Sequence, residues 1–124
     1  LRCFKNAARH LSNKGEFVLE TVVPDFSDYV DGQRMKGSWT TIDSARFEVA
    51  IHDRLAQTIA FQRIVIGEDG TRMTPHFMRY VWPSELDLMA RLAGLKRVER
   101  WAWWDRSPFT PDSKSHVTVY GGGR

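Results

Sequence analysis

The segment from Arg79 to Leu95, RYVWPSELDLMARLAGL, constrains the fold more than any other part of the sequence. A strand leads through Pro83 into a short helix that ends at Gly94. Ser84 is suited to cap the first helical turn, Asp87 stands where a capping-box acid is expected, and the glycine suits a left-handed exit. Four apolar residues share one helix face and can cover a sheet: Leu86, Met89, Ala90 and Ala93. An α/β fold is predicted.

Length and composition describe an ordinary soluble domain. A chain of 124 residues is one domain by size, and it can bury roughly two thirds of its unfolded surface. Its longest apolar run is far shorter than the ~20 residues that span a bilayer, so we expect no membrane segment. Cys3 is the only cysteine. This excludes an intrachain disulfide and predicts a cytoplasmic location.

Basic residues are scattered through the sequence. The formal net charge is +3, and the 18 Lys and Arg residues are scattered among 15 acids. A nucleic-acid interface gathers its basic residues on one face or stripe. Such a stripe is missing from the sequence, so we expect no nucleic-acid partner.

The N-terminal part reads as a helix followed by a buried strand. LRCFKNAARHL repeats apolar residues at helical spacing, and the almost continuous apolar run of Glu16–Val23 is typical of a strand covered on both faces. The helix starts at residue 1 without a capping residue, which leads us to expect that the chain continues a longer polypeptide.

The middle of the chain, residues 25–82, is predicted to be a loop followed by an antiparallel insertion. Residues 25–39 are polar and read as the loop, and three strand-like runs follow them. In the second run the apolar residues change parity near Gln62 and Arg63, which predicts a bulge. Pro75 cannot donate to a ladder, so the third strand should lie at an edge.

Two further strand candidates, residues 95–102 and 116–120, follow the helix and are joined by an aromatic loop. Loops of about a dozen residues are often functional. We expect a single domain over residues 1–120, and a disordered tail over residues 121–124.

Four segments, taken in order, carry a family resemblance: FKNAARHLSNKGEFVLETVVPD, a β-rich insertion, RYVWPSELDLMARLAGL and ERWAWWDRSPFTPDSKSHVTVY. Together they resemble the C-terminal half of a class I S-adenosylmethionine-dependent methyltransferase of the small-molecule type. The resemblance implies half of a Rossmann-like sheet with two main helices. Residues 16–23 match the family's fifth strand, and residues 84–95 match the helix that leads into the sixth. Residues 116–120 match a seventh strand that lies antiparallel between those two.

Members of this family bind the cofactor with a glycine-rich turn after their first strand and an acid at the end of the second. Neither has a counterpart here, and the close-set Gly121–Gly123 precede no helix that could present N–H groups to a ligand. The resemblance therefore implies S-adenosylmethionine as the cofactor of the parent protein. No residue of this chain is expected to bind it, and the isolated chain should be inactive.

We expect this chain to contribute the residues that bind the methyl acceptor, the small molecule that receives the methyl group. Ligands of open α/β sheets bind outside the carboxyl ends of the strands, which points to Asp25 and Phe26. The resemblance adds contacts from the insertion: His52, Arg79, Tyr80 and Trp82.

His52 could act as a general base, although a solvent-facing turn histidine is the commoner use. The Arg79 and Tyr80 side chains point to opposite faces of the predicted strand, so only one of them can face a pocket. Tyr80 is favoured as the binding residue, because its ring can stack on a ligand and its hydroxyl can orient it. Asp25 could attract a cationic acceptor or simply form a turn. Trp82 could be a hydrophobic staple that packs on the first turn of the helix.

No metal site is predicted, because His10, His76 and His116 stand apart without Cys or acidic companions. An alternative function is a noncatalytic ligand-binding or dimerisation module without a cofactor. The buried composition of residues 16–23 beside an unpaired edge predicts a homo-oligomer formed through that sheet edge.

Overall fold

The computed structural model describes residues 1–122 as two helices and seven strands. The elements are α1 (Arg2–His10), β1 (Glu16–Val22), β2 (Gln33–Thr40), β3 (Ala45–Asp53), β4 (Thr58–Gly67), β5 (Gly70–Arg79), α2 (Pro83–Leu92), β6 (Leu95–Trp101) and β7 (Ser115–Gly122). Contacts divide the chain into two compact units. The α/β unit comprises residues 1–24 and those from 81 onward, and the inserted unit comprises Asp25–Tyr80.

The α/β unit is built on a three-stranded sheet in the order β1-β7-β6. Strand β7 pairs antiparallel with both β1 and β6. The prediction that the last strand lies between these two strands is therefore confirmed. Helix residues Phe4, Leu86 and Ala90 form the core with Tyr120 of β7 and Leu95 of β6. The mixed α/β class predicted from the sequence is therefore confirmed.

Helix α2 begins differently from the prediction. Trp82 is the N-cap, and its backbone N–H donates to the Glu85 carboxylate at 2.8 Å. The predicted capping roles of Ser84 and Asp87 are wrong, because the helix starts at Pro83 and Asp87 bonds to side chains of β6 and β7 instead. Gly94 has φ +78°, the left-handed exit expected of a glycine after a helix.

The inserted unit is an antiparallel meander of four strands in the order β2-β3-β4-β5. Strand β2 falls within the predicted loop. Its polar sequence gives little local signal, and its backbone is held by pairing with β3. The bulge predicted at Gln62 and Arg63 is wrong, since β4 pairs without interruption on both sides and carries apolar residues on both faces. Pro75 lies in the edge strand β5, as predicted.

The C-terminal strand is longer than expected. Gly121 and Gly122 belong to β7, where Gly121 pairs with Glu16 and Gly122 with Leu95, so these two residues are not a disordered tail. Two neighbouring strands hold the glycines in place, which no local propensity would predict. Residues 123 and 124 of the predicted tail lie outside the described part of the chain. Within residues 1–122, no helix has the length and apolar content needed to cross a membrane.

Candidate functional site

Four ring-bearing side chains of the inserted unit form an aromatic cluster: Phe26, Tyr29, His52 and Tyr80. The Phe26 ring lies parallel to the His52 imidazole, with the centroids 3.8 Å apart. The Tyr80 ring is tilted 4.9 Å from Phe26, and the Tyr80 hydroxyl lies 2.9 Å from Nε2 of His52. Three residues singled out from the sequence therefore lie together in the folded unit.

Backbone hydrogen bonds place these rings at one end of the sheet. The His52 N–H donates to the Gly32 carbonyl at 2.7 Å, and Gly32 has φ +76°, which favours glycine. The Tyr80 N–H donates to the Gln57 carbonyl at 3.0 Å, just beyond the end of β5. A turn in which the Tyr29 N–H donates to the Phe26 carbonyl at 3.1 Å brings in the other two rings. Backbone pairing of distant segments therefore assembles the cluster.

A cation closes one side of the cluster. The Arg34 guanidinium carbon lies 5.0 Å from the centroid of the Tyr29 ring, and the same side chain forms ion pairs with Glu48 and with Asp28. Burial raises the pKa of the Tyr29 phenol above its ordinary value, so this group stays neutral near pH 7. The guanidinium is held over the ring by its acidic partners.

The pairing of His52 with Tyr80 can hold or move a proton. A neutral imidazole donates through one ring nitrogen and accepts through the other, so the hydroxyl and the imidazole can exchange donor and acceptor roles. His52 is half-buried, whereas Tyr80 is only 6% exposed. The buried phenol can therefore fix the orientation of an imidazole that a small molecule could reach.

The remaining predicted site residues have the following local contacts. The Arg79 guanidinium donates to Oε1 of Gln57 at 3.2 Å on an exposed surface. The Asp25 carboxylate accepts the Ser27 N–H at 3.0 Å in a turn. Trp82 belongs to the α/β unit as the N-cap of α2. The structure thus gives Asp25 the turn geometry that the sequence left open, whereas Trp82, which the sequence offered as a hydrophobic staple or a binding residue, is the N-cap of α2.

A buried polar network in the α/β unit was not anticipated from the sequence. Nη2 of Arg100 donates to Oδ1 of Asp87 at 2.6 Å, and the Tyr120 hydroxyl donates to the same oxygen at 2.9 Å. Nε of Arg100 also donates to the Thr118 hydroxyl at 2.8 Å. The Arg100 side chain is only 8% exposed. Its buried charge is thus neutralised by Asp87 and hydrogen-bonded by Thr118.

His116 is a second buried titratable residue, next to this network. Its side chain is fully buried, Nδ1 lies 2.8 Å from the Thr118 hydroxyl, and Nε2 has no hydrogen-bond partner in the described structure. Burial, together with the nearby Arg100 charge, lowers the pKa of His116 from 6.5 to about 4. Burial and the hydrogen bond to Asp87 raise the pKa of the Tyr120 phenol. Both groups are therefore neutral at pH 7.

The only sequence signal for the network was the polar residues at alternate positions of β7, His116, Thr118 and Tyr120. Such alternation ordinarily indicates a solvent-facing strand face. Among the described residues, no group of three His, Cys, Asp or Glu side chains is arranged to hold a metal ion.

Comparison with solved structures shows what this architecture is similar to. The CcbJ methyltransferase from Streptomyces caelestis superposes with a TM-score of 0.89 and 36% sequence identity over 98% of this chain and 49% of its own length. An S-adenosylmethionine-dependent methyltransferase from Clostridium acetobutylicum gives a TM-score of 0.77 at 11% identity, covering 98% of this chain and 50% of that one. The chain thus spans about half the length of each.

A sugar N-methyltransferase from Streptoalloteichus shares the fold more distantly, with a TM-score of 0.54 and 17% identity over 95% of this chain and 47% of that one. The sequence matches no protein-family model and no curated protein. The predicted resemblance to the C-terminal half of a class I S-adenosylmethionine-dependent methyltransferase is confirmed.

Proposed function

We propose that this chain supplies the acceptor-binding half of an S-adenosylmethionine-dependent methyltransferase that modifies a small molecule. The observation that supports it best is the aromatic cluster, in which Phe26, His52 and Tyr80 come together in a chain 36% identical to half of the CcbJ methyltransferase. Concave surfaces lined by aromatic rings with few polar groups are the usual form of small-molecule sites.

Three residues of the cluster have distinct roles in this proposal. Phe26 stacks against the acceptor and the imidazole, and Tyr80 fixes the orientation of His52. His52 accepts the proton that an amine or hydroxyl acceptor gives up when it is methylated. General bases of this kind contribute typically 10²–10⁴-fold to a rate. Methyl transfer also requires close approach of the two reacting groups, so positioning by the aromatic walls supports the same reaction.

We propose that the cofactor binds outside this chain. Gly121 and Gly122 are paired strand residues of β7, so these two glycines do not form a loop that presents free N–H groups to the cofactor. In this proposal the other half of the parent protein holds S-adenosylmethionine. We further propose a cytoplasmic location, consistent with the single cysteine.

The proposal is tested in the parent polypeptide with labelled S-adenosylmethionine and a panel of small amines and alcohols. We expect His52→Ala to reduce kcat by roughly 100-fold or more. His10→Ala, on the exposed surface of α1, is the matched control and should retain full activity. An unchanged kcat in His52→Ala would contradict the proposed role of His52 as the base.

The placement of the cofactor has its own test. Calorimetric titration of the 124-residue chain with S-adenosylmethionine should show no binding heat. Micromolar binding by this chain alone would show that the cofactor site has been assigned to the wrong half.

A further inference from the structure

The neighbours of the His52 imidazole decide which of its two nitrogens a small molecule can engage. The Phe26 ring lies parallel to the imidazole, with 5° between the ring planes. The Tyr29 ring stands at 70° to it, with the centroids 5.7 Å apart. An imidazole forms hydrogen bonds only at the nitrogens on its rim, so the partners of Nδ1 and Nε2 determine how an acceptor is bound.

The Nε2 atom of His52 is already occupied. The Tyr80 hydroxyl lies 2.9 Å from it, and Tyr80 is only 6% exposed. The Tyr80 backbone is also held in place, because its N–H donates to the Gln57 carbonyl at 3.0 Å. A hydrogen bond uses the single proton or the single lone pair at Nε2. An acceptor therefore cannot engage Nε2 while Tyr80 keeps this position.

The Nδ1 atom of His52 is available. Among residues 1–122, no group forms a hydrogen bond with it, and the His52 side chain is only half-buried. The register places Ile59 of β4 and Met78 of β5 beside His52 on the same face of the sheet. Neither of these side chains titrates near neutral pH. The residues in register with His52 thus offer an acceptor's proton no other site.

We propose that Nδ1 of His52 is the atom that takes the proton of the methyl acceptor, and that Tyr80 holds the imidazole in the tautomer protonated at Nε2. This inference rests on the proposed function and names the reacting atom of its base. A neutral imidazole carries one proton and one lone pair on its two nitrogens. When the Nε2–H donates to the Tyr80 oxygen, the lone pair is at Nδ1.

The proton transfer balances at each atom. The Nδ1 lone pair bonds to the proton, and the electron pair of the broken bond stays on the nitrogen or oxygen of the acceptor. The imidazole becomes a cation with an N–H group at both nitrogens, and the Nε2–H still donates to Tyr80. Hydrogen bonds from a charged donor are roughly twice as strong as neutral ones. Tyr80 therefore stabilises the cation without taking the proton, and Nδ1 returns the proton to water.

Tyr80 is a positioning residue in this scheme, because it acts through His52. The opposite tautomer gives a different site. If the Tyr80 hydroxyl donates to Nε2, Nδ1 carries the proton and can only donate. His52 would then orient an acceptor without deprotonating it. The two arrangements differ in the position of one hydrogen atom on the ring, which spectroscopy can locate.

The first experiment reads the tautomer from ¹H–¹⁵N spectra of the imidazole rings in the 124-residue chain. The chain has four histidines, and His52→Ala identifies the signals of His52. At neutral pH we expect a protonated Nε2 and an unprotonated Nδ1, with slow exchange of the Nε2 proton. Tyr80→Phe should speed that exchange by roughly 5–10-fold, because the proton loses its hydrogen-bond partner. Tyr29→Phe is the matched control, since it removes a hydroxyl from a ring of the same cluster and should leave the exchange unchanged.

The second experiment measures kcat and KM of Tyr80→Phe in the parent polypeptide, with labelled S-adenosylmethionine and the panel of amines and alcohols. We expect kcat to fall by roughly 10-fold with little change in KM, because the lost hydrogen bond is strongest once the imidazole is charged. A rise in KM with unchanged kcat would contradict the positioning role and indicate that Tyr80 only binds the acceptor.

Two further outcomes separate this inference from the proposed function. An unprotonated Nε2 in the wild-type chain would overturn the inference, while a large loss of activity in His52→Ala would still place His52 in the acceptor site. Full activity of His52→Ala would instead overturn the base itself, and the inference with it, whichever tautomer the spectra show.

Discussion

The two units bury their sheets in different ways. The α/β unit covers one sheet face with two helices of its own, and Phe4, Leu86 and Tyr120 are each at most 3% exposed there. In the described part of the inserted unit, Ala50 and Tyr80 are the only apolar residues in the same burial class. This difference in burial shows that a regular, fully paired sheet does not form a hydrophobic core by itself. A second packed layer is needed to exclude water from its apolar face.

Polar side chains differ between the units in the same way. The α/β unit buries Arg100 with its partners, and His116 with one ring nitrogen bonded. The inserted unit instead carries most of its charged strand residues on one face of its sheet, where the Arg34 and Glu48 side chains are 20% and 25% exposed. Substitutions that remove buried groups should consequently cost far more in the α/β unit, and the following predictions test that expectation from the largest effect to the smallest.

The largest loss is expected from Tyr120→Ala. Tyr120 is fully buried, its ring lies 5.4 Å from Phe4, and its hydroxyl bonds to Asp87. Removing a large aromatic side chain from a core costs about 3–5 kcal/mol of unfolding free energy. Leu55→Ala, at a position 92% exposed in the inserted unit, should cost no more than about 0.5 kcal/mol. Urea denaturation measures the free energy of unfolding of both variants. Similar losses of stability in the two variants would contradict the expected difference between the units.

The second prediction concerns pH. His116 is neutral in the folded state with a pKa of about 4, whereas the unfolded chain titrates near 6.5. Between these values the unfolded state binds a proton that the folded state does not, so this contribution is fully present above pH 6.5 and is lost as the pH falls toward 4. The loss should reach up to about 3 kcal/mol.

Urea denaturation at several pH values measures this slope. It should be largely absent in His116→Gln and retained in His10→Gln, because His10 is exposed. An unchanged slope in His116→Gln would assign the pH dependence to other groups.

The third prediction tests the buried ion pair. Asp87→Asn leaves the buried Arg100 guanidinium without its counter-charge and also weakens the acceptor for the Tyr120 hydroxyl. Because Asp87 keeps 24% side-chain exposure, we expect a loss of about 2 kcal/mol, somewhat below that for a fully buried pair. Glu99→Gln, on an exposed position of β6, should change stability by less than about 0.5 kcal/mol. Thermal denaturation of the two variants checks the ranking.

The smallest effect is expected in the aromatic cluster. Tyr80→Phe keeps the ring packed against Phe26 and removes the hydrogen bond to His52. Such a bond contributes about 1 kcal/mol. A double-mutant cycle with His52→Gln should return a coupling free energy of that size, measured by urea denaturation. A coupling near zero would mean that the hydroxyl does not hold the imidazole.

The sequence predicted the elements whose signals are local. The helix preceding Gly94 and the strand that begins at Glu16 follow from apolar periodicity and from the glycine that ends the helix. The order of the last strands was implied by the family resemblance alone. It failed for β2 and for Gly121 and Gly122, because these residues are held by hydrogen bonds to distant strands. Within the inserted unit, the predicted site residues Phe26, His52 and Tyr80 come together, although no sequence pattern pairs His52 with Tyr80 in particular.

By itself, then, the sequence determined which residues can cover a sheet and which can end a helix, since periodicity and glycine conformation act over a few residues. Only the tertiary structure decided that Asp87 pairs with Arg100, that His116 is buried and that Phe26 stacks on His52. The physical reason is that desolvation and ring packing depend on what lies a few ångströms away in space, and those neighbours are separated by many residues along the chain.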